Sequence, residues 1–224
     1  MLTVHHLNNS RSQRVLWLLE ELALPYDIVH YQRDAQTMLA PASLRAVHPL
    51  GKSPVVTTDD GFTLAESGAI IETVVERYGQ GRLAPVSGTP EAMRYRYWMH
   101  FAEGTAMSPL LLKLVFDRIE TSKMPFFAKP IAKAIAGKAK SAFINPNIAS
   151  HLNFMEAELG KSEWFAGDTF TGADIQMSFV VEASQARGGL DAKRPKLMAY
   201  LERIYARPAY QRALERGGPY ALLS

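Results

Sequence analysis

The chain opens with a short apolar run, Leu2 to Leu7, and then a polar stretch, Asn8-Asn9-Ser10-Arg11-Ser12. Beyond it Val15, Leu18, Leu19 and Leu22 recur at helical spacing. That pattern predicts a strand, a polar turn and a helix from about Ser12 to Leu22. Leu24-Pro25 ends the helix, and Tyr26 to Tyr31 reads as a second strand. Residues 32–53 carry no firm pattern. Val55–Thr58 and Phe62–Leu64 flank Asp59-Asp60-Gly61, a hairpin signal because glycine supplies a positive φ. After Glu66-Ser67, the residues Ile70, Ile71, Val74, Val75 and Tyr78 mark another helix. A strand–helix–strand unit favours a parallel pair with a right-handed crossover, and the hairpin adds antiparallel strands. The expectation is a small mixed sheet of four strands, closing near residue 79.

From there the periodicity changes. Residues 78–92, YGQGRLAPVSGTPEA, are rich in Gly and Pro and read as a connection between domains. Thr89-Pro90-Glu91 is a helix start, with a cap, an N1 proline and an acid in the first turn. Met93, Tyr97, Phe101 and Thr105 then share a face. Thr171-Gly172-Ala173-Asp174 is a capping box with Asp in place of the usual Glu. Its helix carries Ile175, Phe179 and Glu182 and ends at Gly188-Gly189. Pro195 opens a helix carrying Leu197, Leu201 and Ile204. The division predicted is residues 1–80 as an α/β domain, 81–89 as linker and 90–224 as an all-helical domain.

Composition narrows the chemistry. The 224 residues are 47% hydrophobic and 21% charged, which is ordinary for a globular protein. No run approaches the roughly 20 apolar residues needed to span a bilayer, and MLTVHHLNNSR shows no secretory signal. There is no cysteine. That removes thiolate ligands, disulfides and cysteine nucleophiles, and it is compatible with a cytoplasmic location. A net charge of +3 gives no footprint for nucleic acid. The six histidines form no ligand pattern, and no metal is expected. His5-His6 on a strand point to opposite faces. Residues 121–155 carry Lys123, Lys129, Lys133, Lys138 and Lys140 and no acid. Pro125, Pro130 and Gly137 interrupt any continuous interfacial helix there. A helical excursion over a cleft is the expectation, and membrane association is not.

Gly51-Lys52-Ser53 raises the question of a nucleotide loop. That motif needs a glycine where Ala46 stands, and a helix beginning at its Lys-Ser end. Here Pro54 leads instead into the apolar run Val55-Val56-Thr57-Thr58. What remains is a Ser-Pro bond at a strand entrance, one of the few places where a cis peptide is tolerated.

Four stretches in order, LNNSRSQRVLWLLEEL, HPLGKSPVV, LAESGAII and FTGADIQMS, resemble the cytosolic glutathione transferases. YQRDAQTMLAP and HPLGKSP look most like a bacterial and fungal branch. The resemblance implies a thioredoxin-like N-terminal domain, an all-α C-terminal domain, a homodimer, and glutathione as co-substrate bound mainly to the first domain. It also implies a cis bond before Pro54, which turns the Ser53 backbone toward the cysteinyl part of glutathione. It further assigns Glu66 and Ser67 to the γ-glutamyl end, while Lys52 is a candidate for the glycyl end.

The reactive group would be the glutathione thiol. The turn between strand and helix is where a donor to sulfur belongs, since a hydrogen bond to the anion favours it. Ser10 is the expected donor, its spacing to Arg14 matching serine-type members of the family. Asn9 and Ser12 are rivals, and Arg11 could add positive potential. The absence of cysteine excludes the mixed-disulfide chemistry of cysteine-type members. Phe101 and Tyr97 are the candidate walls of an electrophile pocket. The function expected is conjugation of glutathione to small hydrophobic electrophiles, with hydroperoxide reduction as a second activity. The alternative is a non-catalytic interaction module on the same fold.

Overall fold

The computed structural model describes residues 1–222, so the last two positions of the 90–224 range lie outside it. Strand β1 (Leu2–Leu7) is followed by helix α1 (Ser12–Glu21), β2 (Tyr26–Tyr31), α2 (Ala42–Val47), β3 (Val55–Thr57), β4 (Thr63–Ala65) and α3 (Ser67–Tyr78). The four strands form one sheet in the order β2-β1-β3-β4. β1 and β2 are parallel, with Leu2 opposite Tyr26 and Leu7 opposite Tyr31. β3 runs antiparallel to both β1 and β4, so the hairpin adds its strands as the sequence predicts. Helix α2 falls in the stretch that showed no firm pattern. It is six residues long and buries only Leu44, too little for a periodicity to register.

Helices alone follow: α4 (Pro90–Phe101), α5 (Met107–Thr121), α6 (Lys129–Ala139), α7 (Asn145–Leu159), α8 (Gly172–Ala183), α9 (Pro195–Tyr205) and α10 (Pro208–Gly217). Single π turns join α4 to α5, join α6 to α7, and extend α8 through Gly188. Thr89 caps α4 by accepting from the Ala92 amide at 3.2 Å. The basic segment folds back along α5, where Lys140 pairs with Asp117 and Glu120 at 2.8 and 2.7 Å. Among the described residues no helix is long and apolar enough to cross a membrane.

Helix α1 lies between the two halves. It buries every residue from Ser12 to Leu19, polar ones included, because it packs on the sheet, α8 and α10 at once. Trp17 meets Phe170 and Tyr210 with ring centroids 5.5 and 5.2 Å apart. Its indole N–H donates to Glu21, whose carboxylate also receives Arg207. The end of α10 approaches α1 closely enough to need glycine. A Cβ on Gly217 would lie 2.7 Å from Gln13 Oε1 and 2.8 Å from Leu16 Cδ1.

Helix α8 is buried throughout and carries two carboxyls. Asp174 accepts from the amides of Phe165 and Thr171 at 2.9 and 2.8 Å, completing the predicted capping box. Glu182 accepts from the hydroxyls of Tyr210 at 2.6 Å and Tyr220 at 2.8 Å. Burial pushes Asp174 up to about 6 and Glu182 up to about 7, against these hydrogen bonds.

Two consequences are measurable. Asp174→Ala strands two buried amides and removes a cap, so it should cost about 3 kcal/mol in chemical denaturation. Glu182 sets a pH dependence. A carboxyl raised on folding contributes stability in full below its ordinary value, and that contribution is lost as pH rises through the folded value. The Glu182 contribution should therefore fall between pH 4.5 and about 7, while His6, pushed down to about 4, works in the opposite direction, so the comparison with a Glu182 variant isolates it. At roughly 1.4 kcal/mol per unit the Glu182 share is about 3 kcal/mol, and Glu182→Gln should flatten it. Glu103 works oppositely. Burial raises it, but Arg14 and Arg11 outweigh burial and leave it depressed, so its contribution is lost only on acidification below 4.5. Denaturant unfolding of both proteins across this range checks the slope; a variant as steep as wild type would assign the titration elsewhere.

Candidate functional site

The register of the sheet places the candidate residues in one row. His5 is opposite Val55, and Val55 is opposite Ala65. Three adjacent strands are thus level at one edge of the sheet. From that edge emerge the polar turn after β1, the Ser53-Pro54 pair before β3 and the Glu66-Ser67 corner after β4. Tyr31 pairs with Leu7, so Arg33 leaves β2 at the same edge. With strands about 4.8 Å apart, the row from the turn to Glu66 spans roughly 10 Å.

The turn is held by hydroxyls and one histidine. Ser10 Oγ accepts from the Ser12 amide at 3.2 Å and lies 2.8 Å from Ser12 Oγ. Ser12 Oγ lies 2.9 Å from His6 Nδ1. Burial, with His30 nearby, pushes His6 down to about 4, so the imidazole is neutral around pH 7. On the other side Ser10 Oγ lies 3.3 Å from Ser53 Oγ, which in turn donates to the His5 carbonyl at 3.2 Å. The Ser53-Pro54 bond is cis. Ser10 is 4% exposed and Ser12 fully buried, which shields Ser12 from any ligand. Arg11, not Ser12, holds the cap position of α1, and the Ser12 hydroxyl turns back to the strand instead.

Asn9 has a positive φ of 49°, a region more open to Asn than to most residues. Its side-chain oxygen accepts from the Ala221 amide at 2.8 Å, so the C-terminal stretch crosses the turn. Arg11 donates to Glu103 at 2.9 Å and stands 4.7 Å above the Phe179 ring. Arg14 is buried and donates to the same carboxylate and to the Gln176 carbonyl.

At the other end of the row Glu66 has φ 69°. That is rare for a residue with a Cβ, and it turns the chain from β4 into α3. Ser67 is the first helical residue of α3, and Glu66 holds the cap position without a side-chain bond. Ser67 is buried, whereas Glu66 and Lys52 are exposed. The opening amides of α3 face the end of the helix dipole that favours anions.

Tyr97 and Phe101 do not reach this row. Phe101 is 6% exposed and its ring lies within 6 Å of the Tyr97, Trp98, Phe154 and His151 rings, toward α7. The two do line an open depression of about 600 Å³ with Met93, Arg96, His100, Gly104 and Thr105. None of those residues comes from the sheet or the 8–12 turn. The residue of this segment that meets the turn is Glu103, which a search for apolar stripes passes over. His6, Arg14 and Tyr220 were missed likewise. His6 had a signal in its strand alternation, which aims it at the face α1 covers. Among the described residues no group of three or more His, Cys, Asp or Glu side chains is placed to hold a metal.

Comparison with known proteins gives the family. Residues 10–77 match the family model for the glutathione S-transferase N-terminal domain, and residues 120–208 match that for its C-terminal domain. Glutathione S-transferase 3 of Schizosaccharomyces pombe is 37% identical over 218 residues, 96% of this chain and 88% of the relative. Glutathione S-transferase 1 of Saccharomyces cerevisiae is 31% identical over 223 residues, 96% of this chain and 95% of the relative. A glutathione S-transferase crystal structure from Actinobacillus pleuropneumoniae superposes with a TM-score of 0.75 at 32% identity, covering 99% of this chain and 95% of that one. A thioredoxin-like sheet domain followed by a helical domain, matched along nearly its whole length, makes this chain a member of the glutathione S-transferase family.

Proposed function

We propose that the row at the sheet edge binds glutathione and delivers its thiolate to small electrophiles. One observation carries the reading: the Ser10 hydroxyl stands 3.3 Å from the Ser53 hydroxyl. A strand-like docking edge and a polar turn at a helix start therefore share one spot. An extended tripeptide is about 10 Å long, the span of the row. Its cysteinyl backbone would pair with Ser53 beside Pro54, as an added short strand does. The γ-glutamyl carboxylate would take the Ser67 hydroxyl and the opening amides of α3, and the ammonium would take Glu66. Lys52 would take the glycyl carboxylate. The sulfur then falls at the turn formed by Asn9, Ser10 and Arg11.

A free thiol has a pKa of about 8.5, so lowering it by about two units takes roughly 2.7 kcal/mol of differential stabilisation. Ser10 is built to contribute. Its oxygen accepts the Ser12 amide, and its one proton, which points to the Ser53 oxygen at 3.3 Å, would turn to the sulfur when glutathione binds. Arg11 and the start of α1 add positive potential. Conjugation is the transfer of the thiolate to an electrophilic carbon, and attack on a hydroperoxide oxygen by the same sulfur is a second activity. Residues 1–80 serve as the glutathione-binding domain, 81–89 as the linker and 90–224 as the helical domain. The assembly is a homodimer and the location cytoplasmic, in line with the resemblance.

Ser10→Ala should retain glutathione on an affinity resin yet cut conjugation of a chloronitrobenzene at least tenfold, about 1.4 kcal/mol. The thiolate absorbance of bound glutathione should move to higher pH. Asn9→Ala should lower turnover less than Ser10→Ala does and leave the thiolate absorbance at its wild-type pH. Undiminished turnover in the Ser10 variant would remove that residue from the role, and loss of resin binding by the wild type would remove the reading.

A further inference from the structure

A cavity of about 410 Å³ opens in the helical half, between the end of α8, the end of α9, helix α10 and the tail that follows it. Glu182, Gln185, Tyr205, Tyr210, Leu214 and Tyr220 line it. None of its lining comes from the sheet or the 8–12 turn, so it lies outside the row proposed for glutathione. The chain path creates it. Helix α9 ends at Tyr205 and α10 begins at Pro208, so Tyr205 and Tyr210 meet at a tight corner with ring centroids 5.3 Å apart. Gly218, at φ 83°, turns the chain out of α10, and Tyr220 comes back to Glu182. The volume falls within the range of small-molecule sites, about 300–1,000 Å³.

One wall carries an acid without a counter-ion. Glu182 is 6% exposed. Its Oε1 accepts from Tyr210 at 2.6 Å and its Oε2 from Tyr220 at 2.8 Å. A carboxylate oxygen has room for two donors, so each keeps one open position. Among the described residues no cation forms an ion pair with it. Arg14 acts on it through space, but its guanidinium donates to Glu103 and to the Gln176 carbonyl. Two neutral hydroxyls solvate a buried charge and do not cancel it, and buried charges are normally matched. The remaining walls are tyrosine rings and Leu214. A carboxylate among tyrosine rings suits an ammonium, through charge-assisted hydrogen bonds and attraction to the rings. An anion would be repelled there, and a purely apolar molecule would leave the open carboxylate positions unmet.

We propose that this cavity is a second binding site, which takes a primary amine carried on a small aromatic or aliphatic body. The ammonium donates to the open positions of Glu182, and Gln185 offers its side-chain oxygen to another of the ammonium N–H groups. Tyr205 and Leu214 hold the body. The site stands apart from the glutathione row, and neither assignment depends on the other.

The test is calorimetric titration of the full chain with 2-phenylethylamine and with 2-phenylethanol, which share a body and differ in charge. It is run at pH 8, above the value of about 7 to which burial pushes Glu182. The groups that act on Glu182 do not titrate there. Arg14 stays charged, and burial pushes Tyr200 and Tyr205 on α9, Tyr210 on α10 and Tyr220 in the tail upward, so they stay neutral. Wild type should bind one amine per chain, at least tenfold more tightly than the alcohol. Glu182→Gln keeps an acceptor for the tyrosines and should bring the amine down to the level of the alcohol. Leu214→Trp, at a half-buried position on α10, puts an indole into the cavity and should weaken the amine at least tenfold; it decides the matter alone should the Gln variant not fold. Wild type that binds neither probe, or both alike, overturns the proposal. So does an amine preference that survives Glu182→Gln, or amine binding undiminished in Leu214→Trp.

Discussion

The buried guanidinium of Arg14 is the joint on which this molecule turns. It rises from α1, in the sheet half, and donates to the Gln176 carbonyl of α8 and to Glu103 between α4 and α5. Burial alone would push its charge out, and Glu103 is the partner that opposes this. Truncating one partner of such a pair leaves the other charge buried, which typically costs about 3–5 kcal/mol. Because Glu103 also receives Arg11, the same carboxylate that fastens the halves together also positions a cation beside the serine turn. Stability and site geometry are therefore not separable at this point.

The turn itself draws on segments far apart in sequence. His6 is on β1, Ser53 precedes β3, Glu103 lies after α4 and Ala221 near the C-terminus. Each supplies one contact, and none would hold Ser10 alone. A neutral His6 fits this role. It can hold the Ser12 hydroxyl in either tautomer, whereas an imidazolium in the same buried place would carry an uncompensated charge.

Much of the fold was legible because its signals are local. Thr89-Pro90, the Thr171–Asp174 box and the Asp59-Asp60-Gly61 hairpin each specify structure within a few residues, and each stands where expected. Half of the candidate site could be picked out for the same reason: Ser10, Ser53 and Glu66-Ser67 sit at element ends. The other half could not. Glu103, Arg14 and Tyr220 matter through partners some 90 residues away or more in two of the three cases, and spacing cannot show that. Tyr97 and Phe101 show the limit from the other side. An aromatic stripe at helical spacing predicts a face that packs, but not on what, and here the partner is α7.

The C-terminal stretch also links the two halves. Glu182 accepts the Tyr220 hydroxyl, and one residue on, the Ala221 amide meets Asn9. A carboxyl raised to about 7 thus holds the segment that crosses the turn. Near that pH the acceptor alternates between a carboxylate, which takes both tyrosine protons, and a carboxylic acid, which has a proton of its own to place. The side-chain amide of Asn9 is fixed through its oxygen by this segment, which leaves its N–H groups to whatever occupies the turn. The serine turn is consequently framed by α1 on one side and by a tail anchored in the helical half on the other. Its polarity is a property of the whole chain rather than of the five residues that spell it.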